Sequence, residues 1–181
     1  KTMPQSGTIV AGIGITALEG LISDVLKLED SDFGSLVETR VILETNIARL
    51  AAQRRTEEEL KVIERALIAY ETKLEKGLPA VEEDLMFHIK IAKASGNSAL
   101  KSLMLIITPD IVYSYNKLKV CSDDRAWQAL EEHKLILQHI KNQDGDSAAL
   151  AMRLHLKDVL EYSQEYHQIT SSKQRANFKL K

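Results

Sequence analysis

The sequence predicts an all-α protein, an antiparallel bundle of six or seven helices. Turn formers are scarce, with three Pro and eight Gly in 181 residues, too few for the many tight turns of a sandwich or barrel. From Ile15 to about residue 167, apolar residues recur at spacings of three, four and seven, the period of one helix face. Capping residues and Gly or Pro breaks divide this pattern at regular intervals. A chain of this length, 44% hydrophobic and 28% charged, buries enough surface for one core without disulfide or metal staples.

The elements follow in order. Pro4-Gln5-Ser6-Gly7 reads as a turn, followed by a short strand at Thr8-Ile9-Val10. Ile15 to Leu28 is a first helix with Leu18, Leu21, Ile22, Val25 and Leu26 on one stripe. Asp30, Ser31 and Asp32 are candidate caps for a second, running to about Gln53. Thr56-Glu57-Glu58-Glu59 has the capping-box pattern and opens a helix that stops near Gly77. Pro79 starts the next, which reaches Ala94 before the Gly96-Asn97 break. Ser98 to Val120 is long and apolar, and Pro109 should kink or split it. Ser122 or Asp123 caps a helix carrying Trp127, Leu130, Leu137 and Ile140. Gly145 ends the following turn, Asp146 or Ser147 caps the last major helix, and Lys173 to Lys181 forms a basic tail.

Several function classes are disfavoured. With 24 Lys+Arg against 26 Asp+Glu and a net charge of −2, the chain has no overall electrostatic footprint for nucleic acid. The single cysteine, Cys121, excludes a disulfide framework and fits a reducing cytoplasm. No apolar run approaches the ~20 residues that span a bilayer, so no membrane partner is expected. Thr8 to Ile22 resembles a signal sequence only superficially, because Gly12, Gly14 and Glu19 interrupt it and no small-residue cleavage site follows.

Function is most visible where ionisable residues interrupt apolar stripes. Arg40 and Glu44 share a face with Leu36/Val37, Leu43, Ile47 and Leu50/Ala51. Asp84 and His88 share one with Val81, Leu85 and Ile91/Ala92. His133 lies with Ala126/Leu130, Leu137 and Ile140, and His155 with Ala148, Ala151/Met152, Val159 and Tyr162. Four helices therefore each aim an ionisable group at the common interior. Taken singly, a core histidine can be satisfied by a backbone carbonyl, and Asp84–His88 or Arg40–Glu44 can be an ordinary i,i+4 pair. Taken together, several buried unpaired groups cost several kcal/mol each. A divalent ion on Asp84, His88, His133 and His155 would compensate all four. One carboxylate and three imidazoles suit zinc first, with Ni, Mn, Fe or Co as alternatives. His139 is rotated off the inward face and His167 lies about 18 Å along the axis from His155, so neither joins the set.

These residues resemble the effector-binding, C-terminal FCD domain of GntR-type bacterial transcription regulators of the FadR-like branch. The matching pieces are Glu38-Thr39-Arg40 with Glu44 and Ala48-Arg49-Leu50-Ala51-Ala52, then Asp84-x3-His88 followed by Ser95-Gly96-Asn97. Glu132-His133 with Ile136 and Ile140, and Met152-Arg153-Leu154-His155-Leu156, complete them. The resemblance implies that Asp84, His88, His133 and His155 are metal ligands and that Arg40 faces a bound effector, with Glu44 and Asn97 nearby. Residues 4–10 resemble the end of the wing of a winged helix-turn-helix. The implied organisation is a wing remnant at 1–12, a linker and first helix at 13–32, a metal-dependent effector domain at 33–167 and a basic tail at 168–181.

The implied function is a sensor, a repressor that binds a small organic acid or sugar-derived metabolite at the metal. Operator DNA would be read through an upstream head not contained in the chain, by a homodimer, in the cytoplasm. The rival is a metal-dependent hydrolase or lyase with Glu44 as the available base. Against it, the chain lacks a His-Asp dipeptide, nucleophile elbow, Walker loop and zincin motif.

Overall fold

The computed structural model describes residues 33–118 and 123–163. Six helices fill them in order: α1 (Phe33–Arg54), α2 (Glu57–Glu75), α3 (Val81–Ala94), α4 (Ser98–Leu118), α5 (Asp123–Lys141) and α6 (Gly145–His155). Helical turns resume over 157–163 after a turn at Leu156, and no strand occurs among the described residues. The all-α expectation is met. The wing remnant, the helix expected at 15–28, the caps at 30–32 and 122, His167 and the basic tail lie outside the described residues.

Helix α1 is the hub. It packs against α3, α4, α5 and α6, while α2 covers α3 and α5. Its inward face carries Leu36, Val37, Ile47, Ala48, Ala51 and Ala52, and the alanines leave room for a neighbouring backbone to approach. Gly145, the first residue of α6, uses that room. A Cβ there would lie 3.1 Å from the Arg49 carbonyl oxygen, Arg49 Cγ and Gln53 Nε2. The close approach sets where α6 runs, and so where His155 at its far end arrives.

The capping box is present at Thr56, whose hydroxyl accepts from Glu59 N while the Glu59 carboxylate accepts from Thr56 N. Gly77 and Gly96 hold φ of 63° and 65° just beyond α2 and α3, a left-handed conformation that ends a helix cheaply only without a Cβ. At the far end of α1, Arg54 Nη1 donates to Ser95 O at 3.3 Å and Arg55 Nη2 to Lys141 O at 2.7 Å. These cations meet carbonyls at the C-termini of α3 and α5, where the helix dipole favours them.

Three local expectations need correction. Gly145 begins α6 rather than ending the turn, and Asp144, not Asp146 or Ser147, caps it by accepting from Ser147 N. The close approach to Arg49 favours glycine there. Pro109 does not split α4, which runs unbroken through it. The carbonyl deprived of a donor is that of Leu105, and both residues lie on the exposed side, where water can serve it. The last helix does not run straight to 167. A turn interrupts it at Leu156, and beyond it Tyr162 is exposed while Ser163 is buried on the row of Met152 and Leu156.

Replacing Gly145 by Ala should destabilise the fold by ~1–3 kcal/mol through overpacking against Arg49, read as a lower denaturant midpoint with an unchanged slope.

Candidate metal centre

Four helices deliver six polar side chains to one point in the core. α1 supplies Arg40 and Glu44, α3 Asp84 and His88, α5 His133 and α6 His155. Arg40, Glu44, His88, His133 and His155 are buried, and the Asp84 side chain retains 16% exposure. Four are drawn to one spot: a ligating atom from each of Asp84, His88, His133 and His155 lies within 4.8 Å of all the others. His155 Nε2 stands 3.1 Å from His133 Nε2 and 3.3 Å from His88 Nε2. Asp84 Oδ1 lies 3.4 Å from His133 Nε2, and Asp84 Oδ2 lies 4.0 Å from His88 Nε2.

The outer ring nitrogens explain why these inner atoms face one another. His88 Nδ1 meets Glu44 Oε2, and His155 Nδ1 lies 2.7 Å from Glu132 Oε2. A neutral imidazole that donates through Nδ1 to a carboxylate presents a lone pair at Nε2. In that tautomer the His88 and His155 lone pairs face each other at 3.3 Å, with a third imidazole and a carboxylate beside them, an arrangement that a cation between them would relieve. Neighbouring ligand atoms about 2.0–2.1 Å from a shared ion stand about 2.9–3.4 Å apart in octahedral or tetrahedral geometry, as do the three shortest separations here. Carboxylates on the far nitrogens are also the usual means of fixing ligating histidines. The residues present fit a divalent transition ion.

The electrostatics agree. Burial pushes His133 well below the usual imidazole range, and neighbouring His155 and His88 push it further. Burial also lowers His155, against the opposing hydrogen bond from Glu132. Both rings are neutral near pH 7, the form that binds metals. Burial alone would raise Glu44, but Arg40 and His88 override it and hold its carboxyl at about 2. A carboxylate that acidic is a weak proton acceptor near neutral pH, which counts against Glu44 as the base of the hydrolase reading.

The expected site residues thus fall into distinct places. Asp84, His88, His133 and His155 converge. Glu44 stands behind His88, and Arg40 braces it through Nε, with Nη2 4.0 Å from Asp84 Oδ2. Asn97 caps α4, its Oδ1 accepting from Ala99 N and Leu100 N at 3.1 and 3.2 Å. His139 is outside the cluster. The sequence reasoning missed Glu132 and Arg125 as site residues. Glu132 accepts from His155 across helices, and Arg125 Nη1 lies 3.0 Å from the same Glu132 oxygen. It also missed the aromatic walls of His133, where Phe87 and Tyr70 have ring centroids 4.5 and 5.2 Å away.

The result is an all-α bundle whose core gathers three histidines and one carboxylate. The FCD domain family matches residues 35–158, and the chain belongs to that family, carried by GntR-type transcriptional regulators of the FadR-like branch. The HTH-type transcriptional regulator LutR of Bacillus subtilis is 31% identical over 157 residues, 84% of this chain and 72% of that protein. The Uxu operon transcriptional regulator of Escherichia coli is 31% identical over 142 residues, 74% of this chain and 54% of that protein. A solved structure of a Streptococcus agalactiae GntR superposes with a TM-score of 0.68 at 29% identity, covering 80% of this chain and 65% of that one. The chain thus spans between about half and three quarters of these proteins. They are regulators, not enzymes. No helix among the described residues is long and apolar enough to cross a membrane.

In metal-free protein, acid should unfold the chain early. Below the ordinary imidazole range near 6.5, the unfolded chain takes up protons that folded His133 and His155 refuse. Stability should therefore fall with falling pH by up to about 1.4 kcal/mol per unit for each ring. Denaturant titrations of chelated protein between pH 7.5 and 5 check this; a flat profile would contradict the depressed histidines.

Proposed function

We propose that this chain is the effector-sensing part of a GntR-type repressor, with Asp84, His88, His133 and His155 holding a divalent transition ion, zinc first. The observation that carries the reading is the convergence of three Nε2 atoms on one carboxylate, with Glu44 and Glu132 behind two of the rings. Bound there, the ion supplies a positive anchor for a carboxylate or hydroxyl oxygen. The effector class is a small organic acid or sugar-derived metabolite. Arg40 beside Asp84 offers a planar guanidinium whose fork matches a carboxylate, and Asn97 fixes the start of α4 at the edge of the domain. Operator DNA is read by a winged helix-turn-helix whose wing ends in residues 1–12, and the working form is a homodimer in the cytoplasm. A coupling of about 1–3 kcal/mol between effector and operator sites changes DNA affinity roughly 5–150-fold, enough for a switch.

Elemental analysis of protein purified without added metal should find one divalent transition ion per chain, and His133→Ala should lose it. Stoichiometric metal in a His88→Ala/His133→Ala/His155→Ala triple variant would sink the site. With metal restored, a thermal-shift screen of sugar acids and small carboxylates should raise the melting temperature for one chemical class.

Arg40→Lys keeps the charge and loses the fork. Stoichiometric metal should remain, while calorimetry with the effector found by that screen should show roughly tenfold or greater loss of affinity. Unchanged affinity would leave Arg40 a brace for Glu44 alone.

A further inference from the structure

Behind the converging atoms stands Arg125, in the first turns of α5. Its three guanidinium nitrogens face three different groups. Nη1 lies 3.0 Å from Glu132 Oε2, the oxygen that also meets His155 Nδ1. Nη2 donates to the backbone carbonyl of His155 at 2.9 Å. Nε lies 3.4 Å from Asp158 Oδ2 in the helical turns beyond α6. One planar cation thus grips the His155 ring through Glu132, the His155 backbone directly, and the chain just past it. The remaining Glu132 oxygen accepts from Gln128 at 2.9 Å, so the carboxylate is fixed at both ends. Burial alone would raise Glu132, but the hydrogen bond to His155 and the Arg125 charge keep it ionised and lowered.

This arrangement stands where the chain changes direction. α6 ends at His155, Leu156 forms the turn, and the helix resumes over 157–163. Those turns end beside the start of α1. Ser163 is buried, and its carbonyl oxygen is 4.0 Å from where a Cβ on Gly34 would sit. A shift of the His155 ring therefore has a short mechanical route, through Glu132 and Arg125 to Asp158, into the turns that touch the entry to α1. His88 has a comparable carboxylate and guanidinium in Glu44 and Arg40, both on α1, with Arg40 Nη2 4.0 Å from Asp84 on the helix that carries His88. The carbonyl and Asp158 contacts are what distinguish Arg125.

We infer that Arg125 is the positioning residue that aims His155 at the metal and carries the state of the centre into residues 157–163. This rests on the reading that the centre holds a metal. The role is one of orientation: through Glu132 and the His155 backbone the guanidinium sets the angle of the ring, as groups behind metal ligands commonly do.

Competition between the full chain and a chromophoric zinc chelator tests it. Arg125→Ala should weaken zinc binding about 10–100-fold, and Arg125→Lys should recover part of the loss while preserving the charge should the alanine variant fold poorly. The loss should not multiply with that of Glu132→Gln, because both act on one ring, but should multiply with that of Glu44→Gln, which acts on His88. Zinc should also slow amide hydrogen exchange over 157–163 in the unaltered protein and not in the Arg125 variants. Affinity within twofold of the unaltered chain, full multiplication with Glu132→Gln, or zinc protection of 157–163 that survives the substitution would each overturn the inference. Failure of the unaltered chain to bind zinc or another transition ion overturns the metal reading itself, a result separable from the others.

Discussion

The constraint on which the rest depends is the burial of imidazole lone pairs against one another. Helical bundles of this size close readily around leucine, isoleucine and alanine, and nothing in such a core demands His88 and His155 with their Nε2 atoms 3.3 Å apart. Each ring is committed from behind, by Glu44 and by Glu132, so neither can turn its proton inward without abandoning a carboxylate. Both carboxylates are in turn held by guanidiniums, Arg40 and Arg125. The core is therefore organised outward from a point of repulsion that a cation relieves, through imidazole, then carboxylate, then arginine. Buried polar networks of this kind specify one arrangement when every member is satisfied and are costly when one is not.

The helical frame serves that arrangement. Because α1 touches α3, α4, α5 and α6, a single helix sets the positions of the three that bring histidines. Alanines at 48, 51 and 52 and the absent side chain at Gly145 let α6 lie close, while Arg54 and Arg55 tie the α1–α2 corner to the ends of α3 and α5. His133 is held differently from its partners. Phe87 and Tyr70 pack on its ring, and the Tyr70 hydroxyl donates to Ala126 O at 3.0 Å, so the aromatic wall is anchored on the same helix that carries His133.

The inward group of charges was legible because helix phase is a strong signal. Arg40, Glu44, Asp84, His88, His133 and His155 each fall on an apolar stripe, and residues on such stripes had to meet inside the bundle. Glu132 and Arg125 were not legible because they sit off the stripe of α5 and reach sideways to α6; no periodicity within one helix reports a contact between two. Phase reasoning failed at Tyr162, which stands one position off the buried row of Met152, Leu156 and Ser163. At Gly145 the misreading was of chemistry. Glycine usually closes a helix, and here it opens one because a neighbouring backbone occupies the space of its side chain.

Electroneutrality draws a last consequence from this layered arrangement. Asp84, Glu44, Glu132 and Asp158 bring four carboxylates to the region, and Arg40 and Arg125 bring two guanidiniums. The carboxylates outnumber the guanidiniums, so the proposed dication would offset an excess of negative charge. Enclosed net charge is expensive in a low-dielectric interior. The excess of acids over arginines thus favours a cation at the proposed centre over an empty one.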